Sequence, residues 1–300
     1  MAELLQFVFS GLTVGAIYAL VALGFTLIYK ASDIINFAQG EFVMLGGMLT
    51  VFVAHAVIPL PFVAHAGIPL PLAAVIAIVA TTAIGLALHR FAIEPARGAT
   101  PVALIMITIG ASIFLRGTAQ IVFDRRFHSL PPLLGADPIQ FGGAAILPQS
   151  LVVLATAAVI VVALWLFIDR TIFGKAVIAT AANRLAARLV GVDTRRIVAF
   201  SFGVSAAIGA IAGVLITPIA LTSYDAGTLL ALKGFAAAML GGIGSAPGAV
   251  VGGILIGMCE ALAAGYLSSN YKDAVAFLII LVVLVAIPQG LFGRAKIERV

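Results

Sequence analysis

Apolar runs of bilayer length recur along this chain, and short polar breaks separate them. A helix needs about twenty apolar residues to cross the hydrocarbon. On that measure the pattern predicts spans near 7–29, 34–54, 70–89, 101–123, 148–168, 197–220, 229–245, 248–266 and 273–292. One break stands out from the rest. From Asp169 to Arg196 the chain carries Arg170, Lys175, Arg184, Arg188, Arg195 and Arg196 against only Asp169 and Asp193. Within it Ile178, Ala181, Leu185, Leu189 and Val192 recur at helical spacing on one face, while Thr180, Arg184 and Arg188 repeat every fourth residue on another. This predicts a short amphipathic helix that stops near Gly191, suited to lying in a lipid surface or docking into another protein.

Loop charge then assigns sides, because Lys and Arg collect in cytoplasmic loops. Segment 169–196 is expected inside, with Arg90, Arg97 and the C-terminal Arg294, Lys296 and Arg299. Alternation puts 55–69, 124–147 and the N-terminus outside, although Arg125 and Arg126 run mildly against the rule. Glu3 precedes the first run and no cleavage site is evident, so that run is expected to be an uncleaved membrane helix. A crossing is lost for each part of 229–266 that is re-entrant.

Composition narrows the class further. The chain of 300 residues is 63% hydrophobic and 10% charged, with mean hydropathy +1.22. A soluble domain is nearer a quarter charged. The expected fold is therefore all-α: a polytopic helical membrane protein of about eight to nine segments, some broken or re-entrant. Residues 1–300 are expected to form one transmembrane domain, with a cytoplasmic loop at about 169–196. The basic balance (net +5, pI about 9.7) sits in short loops and reads as orientation in the bilayer, not nucleic-acid binding. The single Cys259 excludes an intramolecular disulfide and a CxxC site.

The remaining signals are local. Residues 52–61 (FVAHAVIPLP) and 62–71 (FVAHAGIPLP) form a tandem decapeptide, read as a duplication in an outer loop, with His55 and His65 a weak metal pair at best. GxxxG spacing at Gly11/Gly15, Gly209/Gly213, Gly248/Gly252 and Gly253/Gly257 permits close helix packing. The stretch GGIGSAPGAVVGG (241–253) lacks the Lys of a phosphate loop, and Pro247 among glycines predicts a helix break. Gly174-Lys175 lacks the rest of the Walker pattern, so no nucleotide site, cofactor or metal is expected. In INFAQGEFVMLGG (35–47), Asn36, Gln39 and Glu41 interrupt an apolar run. A carboxylate within a span costs at least about 2.5 kcal/mol and faces the bundle interior or water. Glu41 either lines a pathway or snorkels near the cytoplasmic end. Glu260 is a second membrane carboxylate, read first as structural, and Lys233 and Arg116 are expected at the interface. No catalytic constellation is visible, so the chain is not expected to be an enzyme.

Taken together these residues resemble the integral-membrane permease of ABC importers for branched-chain amino acids, over essentially the whole chain. INFAQGE is similar to the family's early motif, with Gln39 where His is usual. ALKGFAAAMLGGIGSAPGAVVGGILIGMCEAL (231–262) and YLSSNYKDAVAF (266–277) resemble its C-terminal signature. The island resembles the permease loop EAAxxxG through Ala186, Ala187 and Gly191, with Leu185 in place of Glu. The resemblance implies a multi-pass inner-membrane subunit in a bacterial cell. It would work with a second homologous permease chain, two cytoplasmic ATPase subunits and a periplasmic amino-acid-binding protein, embedded in lipid. It also implies inward translocation of branched-chain or related amino acids by alternating access. The expected pathway comprises Asn36, Gln39 and Glu41 with Gly241, Gly242, Gly244, Ser245, Pro247 and Gly248. The expected coupling loop comprises Gly174, Lys175, Arg184, Leu185, Ala186, Ala187, Arg188 and Gly191. An ion-coupled secondary transporter, or a urea or short-amide permease of the same ABC group, remains the alternative.

Overall fold

In the computed structural model, residues 2–55, 68–96, 98–135, 137–287 and 289–293 are described. Most of the tandem decapeptide, with His65, lies outside them, as do Arg97, Arg294, Lys296 and Arg299.

Eleven α-helices are present among the described residues: α1 (Ala2–Ser32), α2 (Gln39–Ala54), α3 (Leu70–Leu88), α4 (Pro101–Val122), α5 (Pro148–Arg170), α6 (Ile172–Ala182), α7 (Arg184–Leu189), α8 (Thr194–Ile216), α9 (Ala226–Gly241), α10 (Ala246–Tyr266) and α11 (Lys272–Ala286). Each of the nine expected spans contains a helix, but α2 begins only at Gln39, α9 ends at Gly241 and α11 at Ala286. Helix starts follow local chemistry: Thr100, Thr171, Asn183, Asp193 and Ser245 each accept a backbone N–H from the first turn of the helix they precede. The chain departs from all-α in a small hairpin in the loop between α4 and α5, where β1 (Ile139–Phe141) pairs antiparallel with β2 (Ala144–Ile146), and in a single bridge between His128 and Thr222. The hairpin is tied to α1, since Gln6 donates to Ala145 O (3.0 Å) and accepts from Ala145 N (2.8 Å).

Among the described residues, six helices are long and apolar enough to cross a membrane, and they are not equivalent. The most apolar window of α1 is 89% buried; that of α4 is 11% and that of α5 is 17%. So α1 is the core, wrapped by α8, α9 and α10, while α4 and α5 present apolar flanks outward such as Ile113, Phe114, Val159 and Val162. In water such flanks would be a liability; in lipid they cost nothing. The glycine spacings explain how the core closes. A Cβ on Gly257 would overlap Gly15, and one on Gly11 would lie 2.9 Å from the Met258 Cα, so α1 and α10 cross backbone to backbone. Gly213 meets the Val43 carbonyl in the same manner, seating α8 on α2.

The basic island forms two helices, not one. Asn183 takes an extended conformation (φ −159°, ψ 106°), and its Oδ1 accepts the Ala186 N–H (3.0 Å). An Asn side chain competes with the helical ladder and converts a mid-helix position into a cap. The stop at Gly191 occurs where the sequence places it: Gly191 has φ +89°, and Val192 N donates back to Ala187 O (2.9 Å), the left-handed helix ending that glycine permits.

Candidate functional site

Only α2 and α9, at 16 residues each, are short among the core helices, and both begin at one place. A 16-residue helix rises about 24 Å, less than the roughly 30 Å hydrocarbon. The predicted span at 34–54 is in fact helical only from Gln39; residues 33–38 run as irregular chain into the bundle. Gln39 Nε2 donates to Ser205 O (3.2 Å), Ser205 Oγ donates to Gln39 Oε1 (2.6 Å), and Ser205 Oγ lies 2.9 Å from Gly24 O. Ser205 is about three turns into α8, so the start of α2 is deep in the bundle. There Gly40 and Gly227 bring the first turns of α2 and α9 into backbone contact. Irregular backbone at such depth is tolerated where protein or water satisfies it, and helix ends meeting there are a recurrent transporter design.

The polar side chains at this junction come from three helices. Glu41 is 1% exposed. Its Oε1 accepts from Ser112 Oγ of α4 (2.8 Å); its Oε2 has no hydrogen-bond partner among the described residues. One turn further along α4, Arg116 Nη1 donates to Thr228 Oγ1 of α9 (2.6 Å). Asn36 accepts from Ala38 N (3.2 Å) through Oδ1, while its Nδ2 is also unpartnered among the described residues. Thr108 Oγ1 accepts from Phe37 N (3.2 Å) and lies 3.3 Å from Ile35 O while its proton reaches Ile105 O of its own helix (2.8 Å), so it pins the irregular segment to α4. Asn36, Gln39 and Glu41 are thus brought together. Ser112, Arg116 and Thr228 join them, and sequence reading missed this: Arg116, expected at the interface, is half-buried. Spacing from Ser112 to Arg116 on one face of α4 was the available signal.

The glycine-rich half of the expected pathway is elsewhere. Gly241, Gly242, Gly244, Ser245, Pro247 and Gly248 form the break between α9 and α10, with Gly242 and Gly244 at φ +96° and +89°. That is the opposite end of α9 from Gly227, about 20 Å away by helix rise. Gly248 and Gly241 pack on one another, and Gly242 lies against Gly293. The break is real, but it does not share a site with Glu41.

A second buried polar cluster occupies α1, α9, α10 and α11. Lys233, expected at the interface, is 6% exposed inside α9. Its Nζ lies 2.8 Å from Glu260 Oε1, 2.5 Å from Asp273 Oδ1 and 3.0 Å from the Tyr18 hydroxyl, which itself donates to Glu260 Oε2 (2.7 Å). Lys272 Nζ is 4.0 Å from Glu260. Two ammonium groups face two carboxylates, and Glu260 is satisfied at both oxygens.

On the basic island, α6 and α7 divide their faces sharply. Gly174, Val177, Thr180 and Ala187 turn inward. Ile178, Leu185 and Leu189 are exposed, the last two at 69% and 81%. Lys175 and Ala186 are exposed beside them. Arg184 Nη2 donates to Ala31 O (3.1 Å), and Arg188 Nε to Thr194 Oγ1 (3.0 Å), holding α7 against α1 and α8.

Comparison with known proteins finds relatives along almost the whole chain. Residues 7–284 match the family described as "Branched-chain amino acid transport system / permease component". The high-affinity branched-chain amino acid transport system permease protein LivH of Escherichia coli K12 is 35% identical over 301 residues, covering 99% of this chain and 97% of that protein. BraD of Pseudomonas aeruginosa, of the same description, is 35% identical, with 99% and 98% covered. The ribose import permease protein RbsC of Haemophilus influenzae is 30% identical over 130 residues, 41% of this chain and 40% of its own length. No solved structure matches. Apolar helices, a polar junction within the bundle and similarity along almost the full length converge: this chain belongs to the branched-chain amino acid transport permease family, as a transport subunit of the membrane.

Proposed function

We propose that this chain carries a branched-chain or related hydrophobic amino acid inward across a bacterial inner membrane by alternating access. Its partners in this reading are a second homologous permease chain, two cytoplasmic ATPase subunits and a periplasmic binding protein. The observation that carries the reading is the α2/α9 junction. A carboxylate 1% exposed with an unpartnered oxygen is costly unless it serves the transported molecule or the water that accompanies it. Glu41 accordingly faces the pathway in one state of the cycle, with Asn36 and Arg116 beside it. Gln39 acts differently, because it is fully bonded to α8 and so fixes where α2 starts. The Gly241–Gly248 break acts as a hinge at the far end of α9. A gradient-driven transporter would use membrane carboxylates as ion ligands, and Glu260 is already saturated by Lys233 and Tyr18.

Coupling is assigned to α6 and α7. The exposed Leu185 and Leu189 offer an apolar face for a groove on an ATPase, in the helix-in-groove manner. Ala187 has the opposite orientation, at 3% exposed, so enlarging it perturbs the permease body and not the partner. Gly174 is likewise an internal packing residue, against Ile168 and Phe167. The Leu185→Asp/Leu189→Asp double variant should insert normally and lose co-purification of the ATPases. Uptake of labelled leucine by the reconstituted assembly, competed with urea and short amides, measures the substrate preference. Competition by urea alone would move the chain to the short-amide alternative.

A further inference from the structure

A cavity of about 530 Å³ opens where the end of α1, the π-turn at His89–Ile93, the α3–α4 connection, α7 and the start of α8 meet. Its lining mixes two chemistries. Ile34, Ile93, Leu104 and Val198 are apolar, while Ser32, His89, Arg184, Arg188 and Thr194 are polar or cationic. Each arginine spends one nitrogen on a neighbour, Arg184 on Ala31 O and Arg188 on Thr194 Oγ1. Neither has a carboxylate within ion-pair distance among the described residues. Two nearby acids are engaged elsewhere: Glu94 lies between Arg90 (3.0 Å) and Arg195 (3.3 Å), and Asp193 pairs with Arg196 (3.1 Å) while capping α8. Asp33, between the lining residues Ser32 and Ile34, is exposed and forms no ion pair with either arginine. Two guanidinium groups without a carboxylate partner among the described residues therefore line one cavity together with apolar side chains.

That combination suits a molecule with an anionic head and an apolar body. We propose that this cavity binds an anionic phospholipid of the cytoplasmic leaflet, its phosphate between Arg184 and Arg188 and an acyl chain along Ile34, Ile93 and Leu104. The proposal rests on the cytoplasmic placement of α7 given above. Guanidinium pairs recognise phosphate through paired N–H donors, and basic clefts between helices on this side of a membrane attract anionic headgroups. The lipid would join α7 to α1, to the π-turn and to α8, and would stiffen the segment that meets the ATPases.

The proposal is tested by lipid retention in the full assembly, read by native mass spectrometry after exchange into neutral detergent with defined lipid. Phosphatidylglycerol should stay bound where phosphatidylcholine washes out. Retention should fall roughly fivefold for each arginine removed in Arg184→Gln and Arg188→Gln, from about 1 kcal/mol per basic residue near such a headgroup. Leu104→Trp fills the apolar half without touching a charge and should expel the lipid too, with the ATPases still attached. Equal retention of both lipids, or unchanged phosphatidylglycerol in Arg184→Gln/Arg188→Gln and in Leu104→Trp, would overturn the proposal. So would displacement of the lipid by inorganic phosphate at constant ionic strength, because the headgroup alone would then account for the site.

Discussion

Glu41 and Glu260 are both carboxylates buried within the helix bundle, and their surroundings are opposite. Glu260 is paired on each oxygen, by Lys233 and by Tyr18, with Asp273 and Lys272 completing a balanced set. Glu41 has one oxygen on Ser112 and the other unpartnered among the described residues. A saturated buried pair fixes the register of the helices that supply it, here α1, α9, α10 and α11. An unsaturated carboxylate weakens the resting structure and leaves capacity for a ligand. In the proposed reading the first cluster belongs to the frame and the second to the moving part.

The largest expected effect is on the frame. Lys233→Met leaves Glu260 buried beside Tyr18 without its cation, and removing one partner of such a pair costs about 3–5 kcal/mol. Expression and melting temperature of the variant should drop together. The Lys233→Met/Glu260→Met double variant should recover much of the loss. Equal destabilisation in single and double variants would mean that packing, not charge, sustains the cluster.

Next comes the approach of α1 to α10 that lets Tyr18 reach Glu260. Gly257→Ala puts a methyl onto Gly15, and such overpacking costs about 1–3 kcal/mol. Gly110→Ala in α4, where a Cβ meets nothing within 4 Å, should be neutral or slightly stabilising. Thermal unfolding of the two variants in detergent separates them, and identical melting would break the assignment of α1 and α10 to the frame.

Glu41→Gln sharpens the other side of the comparison. The amide keeps the shape and a bond to Ser112, so stability should change by about 1 kcal/mol or less. Leucine uptake should fall at least about tenfold, the factor given by about 1.4 kcal/mol. Normal uptake in this variant would return Glu41 to a structural role.

The smallest effect lies outside the bundle. Asp124 is held below the ordinary carboxylate range by the Arg126 backbone N–H first and by His128 second. A depressed carboxylate contributes stability above its unfolded pKa and loses it as pH falls through its folded value. The contribution is therefore present at neutral pH and is lost only as pH falls through a folded pKa that lies below the ordinary carboxylate value of about 3.9. Because the site is exposed, Asp124→Asn should lower the melting temperature barely at pH 7, and by less as the pH is taken down through the acid range. A large shift at pH 7 would show that the α4–α5 loop belongs to the frame.

Much of this architecture was legible in the residues alone, for a definite reason. Without water to satisfy it, backbone within a bilayer must be helical, so apolar length alone locates the spans. Glycine spacing marked the contacts of α1 with α10 and of α8 with α2 because close approach needs a missing side chain. Gly191 marked a helix end because few other residues adopt positive φ cheaply. These are local consequences of residue type, and one chain of letters contains them.

Partnership was not legible. Lys233 looked interfacial because nothing in the neighbouring sequence reveals Glu260, 27 positions away, or Asp273 on a different helix. Arg116 and Ser112 are ordinary members of α4 until the fold sets them against Thr228 and Glu41. The polar motif at 35–41 and the glycine break at 241–248 looked like one pathway, and the full length of α9 separates them. Asn183 split a helix that periodicity ran straight through, since its side chain found an N–H to cap. Hydropathy and spacing determined which segments enter the membrane and how tightly they could approach. Only the tertiary structure decided which charges meet, because an ion pair is fixed by distances between helices, and those distances belong to the packed bundle.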